Sequence, residues 1–189
     1  MKNIGSVSGL YPEPDTIAGT VIDGKINWMN VAHVGNWGFN HIMLSIGKPH
    51  HTSKALRIGG NISVNLVDEA MLVRADYVGI VSGSKTDKSD VFPVFKGELD
   101  GAPLIEDAPV AMECVIEEIY ETDTHFNCIA RPKNTYVRDD VLNENGRIDF
   151  EKIKPILFEM QQNRYLRTGE VAGRCWNIGK NYNDQRSRE

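Results

Sequence analysis

The sequence predicts a mainly β fold with a few helices on its outside, and three observations carry that prediction. Apolar residues recur at period two, most clearly over Val110–Glu121, where Val110, Met112, Cys114 and Ile116 share one face. Turn chemistry cuts the chain at short intervals, at Asp23-Gly24-Lys25, Gly47 to Pro49, Gly59-Gly60 and Asn143 to Gly146. Helical periodicity is confined to three stretches, at 52–58, 68–81 and 149–162.

The elements follow in order. Residues 1–10 are polar and glycine-rich and read as an irregular arm. The prolines of Tyr11-Pro-Glu-Pro-Asp15 extend the next segment. Ile17–Ile22 and Ile26–His33 form a hairpin about Asp23-Gly24. Asn30 to Asn40 reads as a loop, and Ile42–Ile46 and Ile62–Leu66 as half-buried strands. Between those strands, Thr52 or Ser53 is the expected N-cap of a short helix that Gly59-Gly60 ends. Asp68 caps the helix over 68–81, whose inward face is Met71, Leu72, Ala75, Val78 and Gly79. Residues 94–104, broken by glycine and proline, wrap the surface. Glu113, Glu117 and Glu121 fall on the solvated face of their strand. The return strand starts at Phe126, Cys128 and Ala130 and continues through Thr135–Val137. Asp149 caps a helix reaching Gln162, with Pro155 kinking it or delaying its start. Arg164–Arg167 is extended. Val171, Cys175 and Trp176 make a last contact with the body, and 181–189 is a polar tail.

A chain of 189 residues makes one domain, 1–189, with a sizeable core. The net charge of -5 argues against nucleic acid, which needs a basic face. Three widely spaced cysteines without a Cys-x-x-Cys pair signal no metal centre and read as reduced core thiols in a cytoplasmic protein. Neither a leader nor a long apolar run is present, so no membrane partner is expected. Of five histidines only His50 and His51 are close, and adjacent side chains point apart, so no metal is expected.

Two polar clusters stand out. His50, His51, Thr52, Ser53 and Lys54 crowd the expected helix start, where free N–H groups, hydroxyls and a cation would suit a phosphate. Taken alone, Thr52-Ser-Lys54 reads as an ordinary capped surface helix, and it is the rest of the chain that shifts the weight toward an anion site. Ser84 to Asp90 repeats the pattern, as a solvated loop or as the source of Lys85 or Lys88 for the same anion. Asn30 to Asn40 carries asparagines, glycines and Trp37. It reads either as a loop that lays amides against a flat polar ring or as a connection with Trp37 capping the core.

The order of these pieces resembles a known family. The pieces are Pro12-x-Pro14, Asn30-Val-Ala-x-Val-Gly-Asn36, Lys48-Pro-x-x-Thr-x-x-Ala-Leu56, Ile62-Ser-Val-Asn65, Ala75 to Gly83, Asp87-Lys88, Ala102 to Glu106, Gly146 to Asp149 and Arg164-Tyr-Leu-Arg-Thr-Gly169. Together they resemble the flavin reductase-like, FMN-binding split-barrel family and, within it, the flavoredoxin group. The resemblance implies an antiparallel split β-barrel of Greek-key type, acting as a homodimer with one FMN held non-covalently near the interface of each subunit. It implies Thr52 and Lys88 at the phosphate, with His51, Ser53 and Leu56 close by. It implies Asn30, Val31, Ala32, Gly35 and Asn36 along the ring edge. Asn65, Ser82, Gly83 and Ser84 would complete the ribityl and phosphate contacts, and Trp37 and Tyr165 would pack near the ring. Met160-Gln-Gln-Asn-Arg164 replaces the family's usual glycine run before the tyrosine. The implied activity is electron or hydride transfer through FMN, as an NADH- or NADPH-dependent reductase or as a carrier fed by a redox protein. The sequence has no Gly-x-Gly-x-x-Gly fingerprint, so a nicotinamide would meet the flavin directly. The alternative is a non-enzymatic split-barrel binding or dimerisation module.

Overall fold

A computed structural model describes residues 1–180 and Tyr182; the rest of the predicted polar tail lies outside the described residues. Twelve strands are described: β1 Glu13–Pro14, β2 Thr16–Ile22, β3 Lys25–Val31, β4 Val34–Trp37, β5 His41–Gly47, β6 Asn61–Leu66, β7 Val94–Phe95, β8 Leu104–Ile105, β9 Val110–Glu121, β10 His125–Val137, β11 Ile156–Glu159 and β12 Arg164–Arg167. Seven of them form one antiparallel sheet in the order β3-β2-β6-β9-β10-β5-β4, which curls into a split barrel. β1, β11 and β12 make a second small sheet, and β7 pairs with β8. Two helices, α1 Leu72–Ile80 and α2 Phe150–Ile153, lie outside.

The predicted hairpin forms between β2 and β3. Asp23 and Gly24 both take positive φ (52° and 76°), the geometry that lets a two-residue turn follow the strand twist. Asp68 caps the approach to α1 by accepting from the Met71 N–H at 3.2 Å. Ala75 and Val78 of α1 join Ile17, Trp28, Leu104 and Ile105 on one face of the sheet. Ala18, Leu44, Ile62, Val64, Cys114 and Cys128 fill the other face. With both faces covered, β2 is buried almost throughout, and a strand there no longer needs to alternate.

Several expectations give way to the structure. Asn30 to Asn40 is not a plain loop, because Val34–Trp37 pairs with β5 as the edge strand β4. The short helix is only a five-residue 3-10 turn, His51–Ala55, with His50 at its N-cap and no side chain capping it. Thr52 and Ser53 are therefore not N-caps. Residues 149–162 do not form one helix. Asp149 does cap α2, accepting from Glu151 N at 3.0 Å, but Lys154 turns left-handed (φ 49°) before Pro155 and the chain enters β11. Val171, Cys175 and Trp176 are exposed rather than packed on the body.

Glu113 is the largest departure on β9. It is fully buried, not solvated. Its carboxylate accepts from Glu98 N (3.1 Å), Leu99 N (2.8 Å), Asn134 Nδ2 (2.6 Å) and Tyr136 Oη (3.0 Å). Burial pushes its carboxyl up, but these four donors together hold it below the usual range. Glu113 thus staples the loop after β7 to the centre of the sheet. Replacing it by alanine leaves buried donors unmet, so Glu113→Ala is expected to lose about 3 kcal/mol or more of unfolding free energy in urea titrations. Glu113→Gln, which keeps one acceptor, is expected to lose less; an unchanged midpoint in both would contradict the staple.

Candidate functional site

A cleft of about 720 Å³ opens where the end of β3, the turn after β5, the C-terminal end of α1 and the small sheet meet. Its polar end is built around Lys88. That side chain is only 5% exposed. Its Nζ donates to the carbonyls of Val78 (3.0 Å) and Val81 (3.1 Å) at the C-terminal end of α1, where the helix carries partial negative charge. No carboxylate lies within ion-pair distance of it among the described residues. Burial lowers its pKa to about 8, so Lys88 is still mostly charged at neutral pH, and its third N–H has no acceptor among the described residues.

Thr52 sits beside it, 2% exposed. Its Oγ1 accepts from Asn27 Nδ2 at 2.8 Å, so its own hydroxyl hydrogen is available to another acceptor. Asn27 Oδ1 and His51 Nδ1 are buried without partners, and both residues line this end of the cleft. Gly83 is required here for space: a Cβ would run into Asn27 Oδ1 and meet His51 Cδ2 at 3.0 Å. His50 is held below the usual imidazole range by burial, then by the positive neighbours Lys88 and His125. The polar end therefore offers the Lys88 cation and the Thr52 hydroxyl hydrogen to an anionic group, while Asn27 Oδ1 is an acceptor left for a donor.

The middle of the cleft is less polar. Asn30, Val31 and Ala32 line it from β3 and its end. The Asn30 amide donates to Asp15 Oδ2 (3.1 Å) and to the Ala75 carbonyl (3.2 Å). The far wall is the small sheet. Phe158 and Tyr165 pair across β11 and β12 with ring centroids 6.0 Å apart, and Tyr165 Oη donates to Asp76 Oδ1 at 2.8 Å. Burial, with Asp76 and Asp15 nearby, pushes the Tyr165 phenol well above its usual range, so it stays protonated.

Of the residues singled out from the sequence, Asn30, Val31, Ala32, His51, Thr52, Ser82, Gly83, Lys88 and Tyr165 line this one cleft. The others lie elsewhere. Gly35, Asn36 and Trp37 are on β4; Asn36 lines a separate hollow with His41 and Arg131, and Trp37 is 53% exposed, so it does not cap the core. Ser53 Oγ turns back to the Gly47 carbonyl. Leu56 packs on the sheet core. Asn65 is fully buried and structural, donating to Ile17 O and Ser63 Oγ and accepting from Ile105 N. Ser84 and Lys85 line a neighbouring groove rather than the cleft.

Sequence reasoning missed Asn27, Asp76, His125, Phe158 and Met160, while His50, named with the polar cluster at 50–54, does line the cleft. Asn27, a polar residue between Ile26 and Trp28, carried a signal as a break in an apolar strand. Phe158 and Met160 carried none once that stretch was assigned to a helix. No helix among the described residues is long and apolar enough to cross a membrane, and no three His, Cys, Asp or Glu side chains among them gather as a metal-ligand set.

The comparisons with known proteins agree with this architecture. The family described as flavin reductase like domain matches residues 9–165. The crystal structure of flavoredoxin from Methanosarcina acetivorans superimposes with a TM-score of 0.89 at 32% identity, covering 96% of this chain and 100% of that one. Flavoredoxin of Desulfovibrio vulgaris (Miyazaki F) gives a TM-score of 0.86 at 28% identity, over 95% and 100% of the two chains. A protein of Aeropyrum pernix is 25% identical over 154 residues, 79% of this chain, and the chain spans only 58% of that relative's length. This chain belongs to the flavin reductase-like family, in its flavoredoxin group.

Proposed function

We propose that the protein is a flavoprotein that binds FMN non-covalently and transfers electrons or hydride through it. The observation that carries this reading is a buried lysine, Lys88, with no carboxylate partner, at the donor-rich end of a cleft large enough for a planar cofactor. Thr52 and Lys88 would hold the phosphate, with the unmet His51 Nδ1 close by. Asn30, Val31 and Ala32 would lie along the ring, and Tyr165 with Phe158 would close the far wall and exclude water. When bound, FMN supplies both one-electron and hydride chemistry, which no side chain here provides. Membership of the flavoredoxin group supports the same reading.

A homodimer is part of the proposal. β4 is one of the two edge strands of the seven-stranded sheet, and Trp37 and Phe39 beside it are exposed large apolar groups. A cytoplasmic setting is supported by the buried free thiols Cys114 and Cys128. The electron donor is a nicotinamide in the reductase form of the reading and a redox protein in the carrier form.

Four measurements bear on the proposal. FMN is expected to bind the purified protein with quenched fluorescence, and Thr52→Ala and Lys88→Met to weaken it by about ten- to a hundred-fold each, the worth of a hydrogen bond to a charged group; equal affinity in all three proteins would remove the phosphate assignment. Lys88 carries its charge below a pKa of about 8, so affinity is expected to fall as pH rises beyond that value. The same shift has a stability consequence of fixed sign. The folded protein binds fewer protons on Lys88 than the unfolded chain between about 8 and 10.5, so ligand-free parent should gain stability relative to Lys88→Met as pH rises through that window. Anaerobic addition of NADH or NADPH to the FMN-loaded protein assigns the donor: bleaching by either makes it a reductase, and bleaching only by a reduced electron-transfer protein makes it a carrier. Flavin that neither reduces would contradict the redox role.

A further inference from the structure

Asp15, at the junction of β1 and β2, lies one layer beneath the cleft and is fully buried. Its backbone is fixed from two sides, donating to Ile156 O (2.9 Å) and accepting from Val67 N (3.1 Å). Its carboxylate is poorly served. Oδ2 accepts from Asn30 Nδ2, while Oδ1 is buried with no partner. The ionisable groups that face it are Asp76 from α1 and Tyr165 from β12, and neither brings positive charge. Burial, with Asp76 adding, pushes the Asp15 carboxyl up to about 7, against the pull of Asn30 and the Thr16 N–H. A carboxylate in such a place weakens the fold, so stability does not account for it.

What Asp15 does accomplish is to orient an amide. Asn30 has two N–H donors, and both are spent inward, on Asp15 Oδ2 and on the Ala75 carbonyl. Neither an ionised carboxylate nor a backbone carbonyl can donate, so the amide has only one satisfied orientation. Its carbonyl Oδ1 is the group left for the cleft that Asn30 lines. Gly79 of α1 packs closely enough that a Cβ there would stand 3.1 Å from Asn30 Cβ, which leaves the side chain little room to swing. Ala75, whose carbonyl takes the second N–H, lies on the same helix as Asp76, so α1 fixes one half of the arrangement and Asp15 the other.

We propose that Asp15 is a positioning residue that locks Asn30 as a hydrogen-bond acceptor facing the cleft, so that whatever binds there must present an N–H or O–H at that point. The proposal deepens the flavin reading and rests on it only for the identity of the ligand: a flavin carries such donors on its ring imide and its ribityl chain. Protonation of Asp15 weakens the inward pull on the amide, so the lock loosens as pH falls below neutrality.

Two measurements test it. In the ligand-free protein, the Asn30 side-chain N–H pair is expected to titrate with a midpoint near pH 7 in ¹⁵N–¹H spectra. The isosteric Asp15→Asn variant should abolish that titration while keeping the fold. An Asn30 amide pair indifferent to pH and to Asp15→Asn would overturn the proposal. With FMN as the probe, Asp15→Ala and Asn30→Ala should each weaken binding by about ten-fold, the worth of one buried hydrogen bond, and the double variant should bind no worse than Asn30→Ala alone. Additive losses would show that Asp15 acts through something else and overturn it too. A parent protein that binds no FMN would refute the cofactor assignment instead, and the amide titration would still decide the role of Asp15.

Discussion

An ammonium group buried without a counter-ion among the described residues is the constraint around which the site is arranged. Lys88 is taken out of water and given two helix carbonyls in exchange. Those carbonyls keep the cation in place but do not neutralise it. The surroundings then follow from that remaining charge. Thr52 gives its acceptor side to Asn27 and keeps its hydrogen for the cleft. His50 is pressed toward neutrality rather than adding a second cation. Gly83 leaves room for Asn27 and His51 to approach. Each feature makes sense if an anion completes the set.

The fold supplies this geometry by covering its curled sheet on both faces. α1 packs against one face and delivers its C-terminal carbonyls to Lys88. The same helix gives Asp76 to Tyr165 and the Ala75 carbonyl to Asn30. The small sheet of β1, β11 and β12 brings Phe158 and Tyr165 across the cleft and fixes Asp15 beneath it. One helix and one small sheet thereby hold the two ends of the cleft in register.

Much of the strand architecture was legible, because alternation and turn chemistry act locally: the β2–β3 hairpin, β5, β6 and β9 lie where the residues put them, and α1 falls inside the expected 68–81 stretch but starts only at Leu72, with Met71 rather than Asp68 at its N-cap. Where the reading failed, a distant partner decided the outcome. Leu157 and Phe158 carry a helical pattern, yet pairing with β1 and β12 makes them a strand. Glu113 sits on the polar side of an alternating run, yet a loop some fifteen residues earlier in the chain supplies the N–H groups that allow it to be buried. The site was read in the same uneven way. Thr52, Lys88, Asn30 and Tyr165 do converge on one cleft, but not through a helix N-terminus: the turn at Thr52 is too short, and the donors are side chains. Asn65, which looks like a ligand contact in a motif, spends its amide on the core.

The central claim is that Lys88 and Thr52 form a phosphate cradle, and comparing FMN with riboflavin tests it most directly. The two ligands share the ring and ribityl chain and differ only in the phosphate. Isothermal titration at pH 7 should show FMN binding at least about a hundred-fold more tightly, the worth of two charge-assisted hydrogen bonds. Riboflavin binding as tightly as FMN would contradict the account, because the buried cation would then have no part in recognising the ligand.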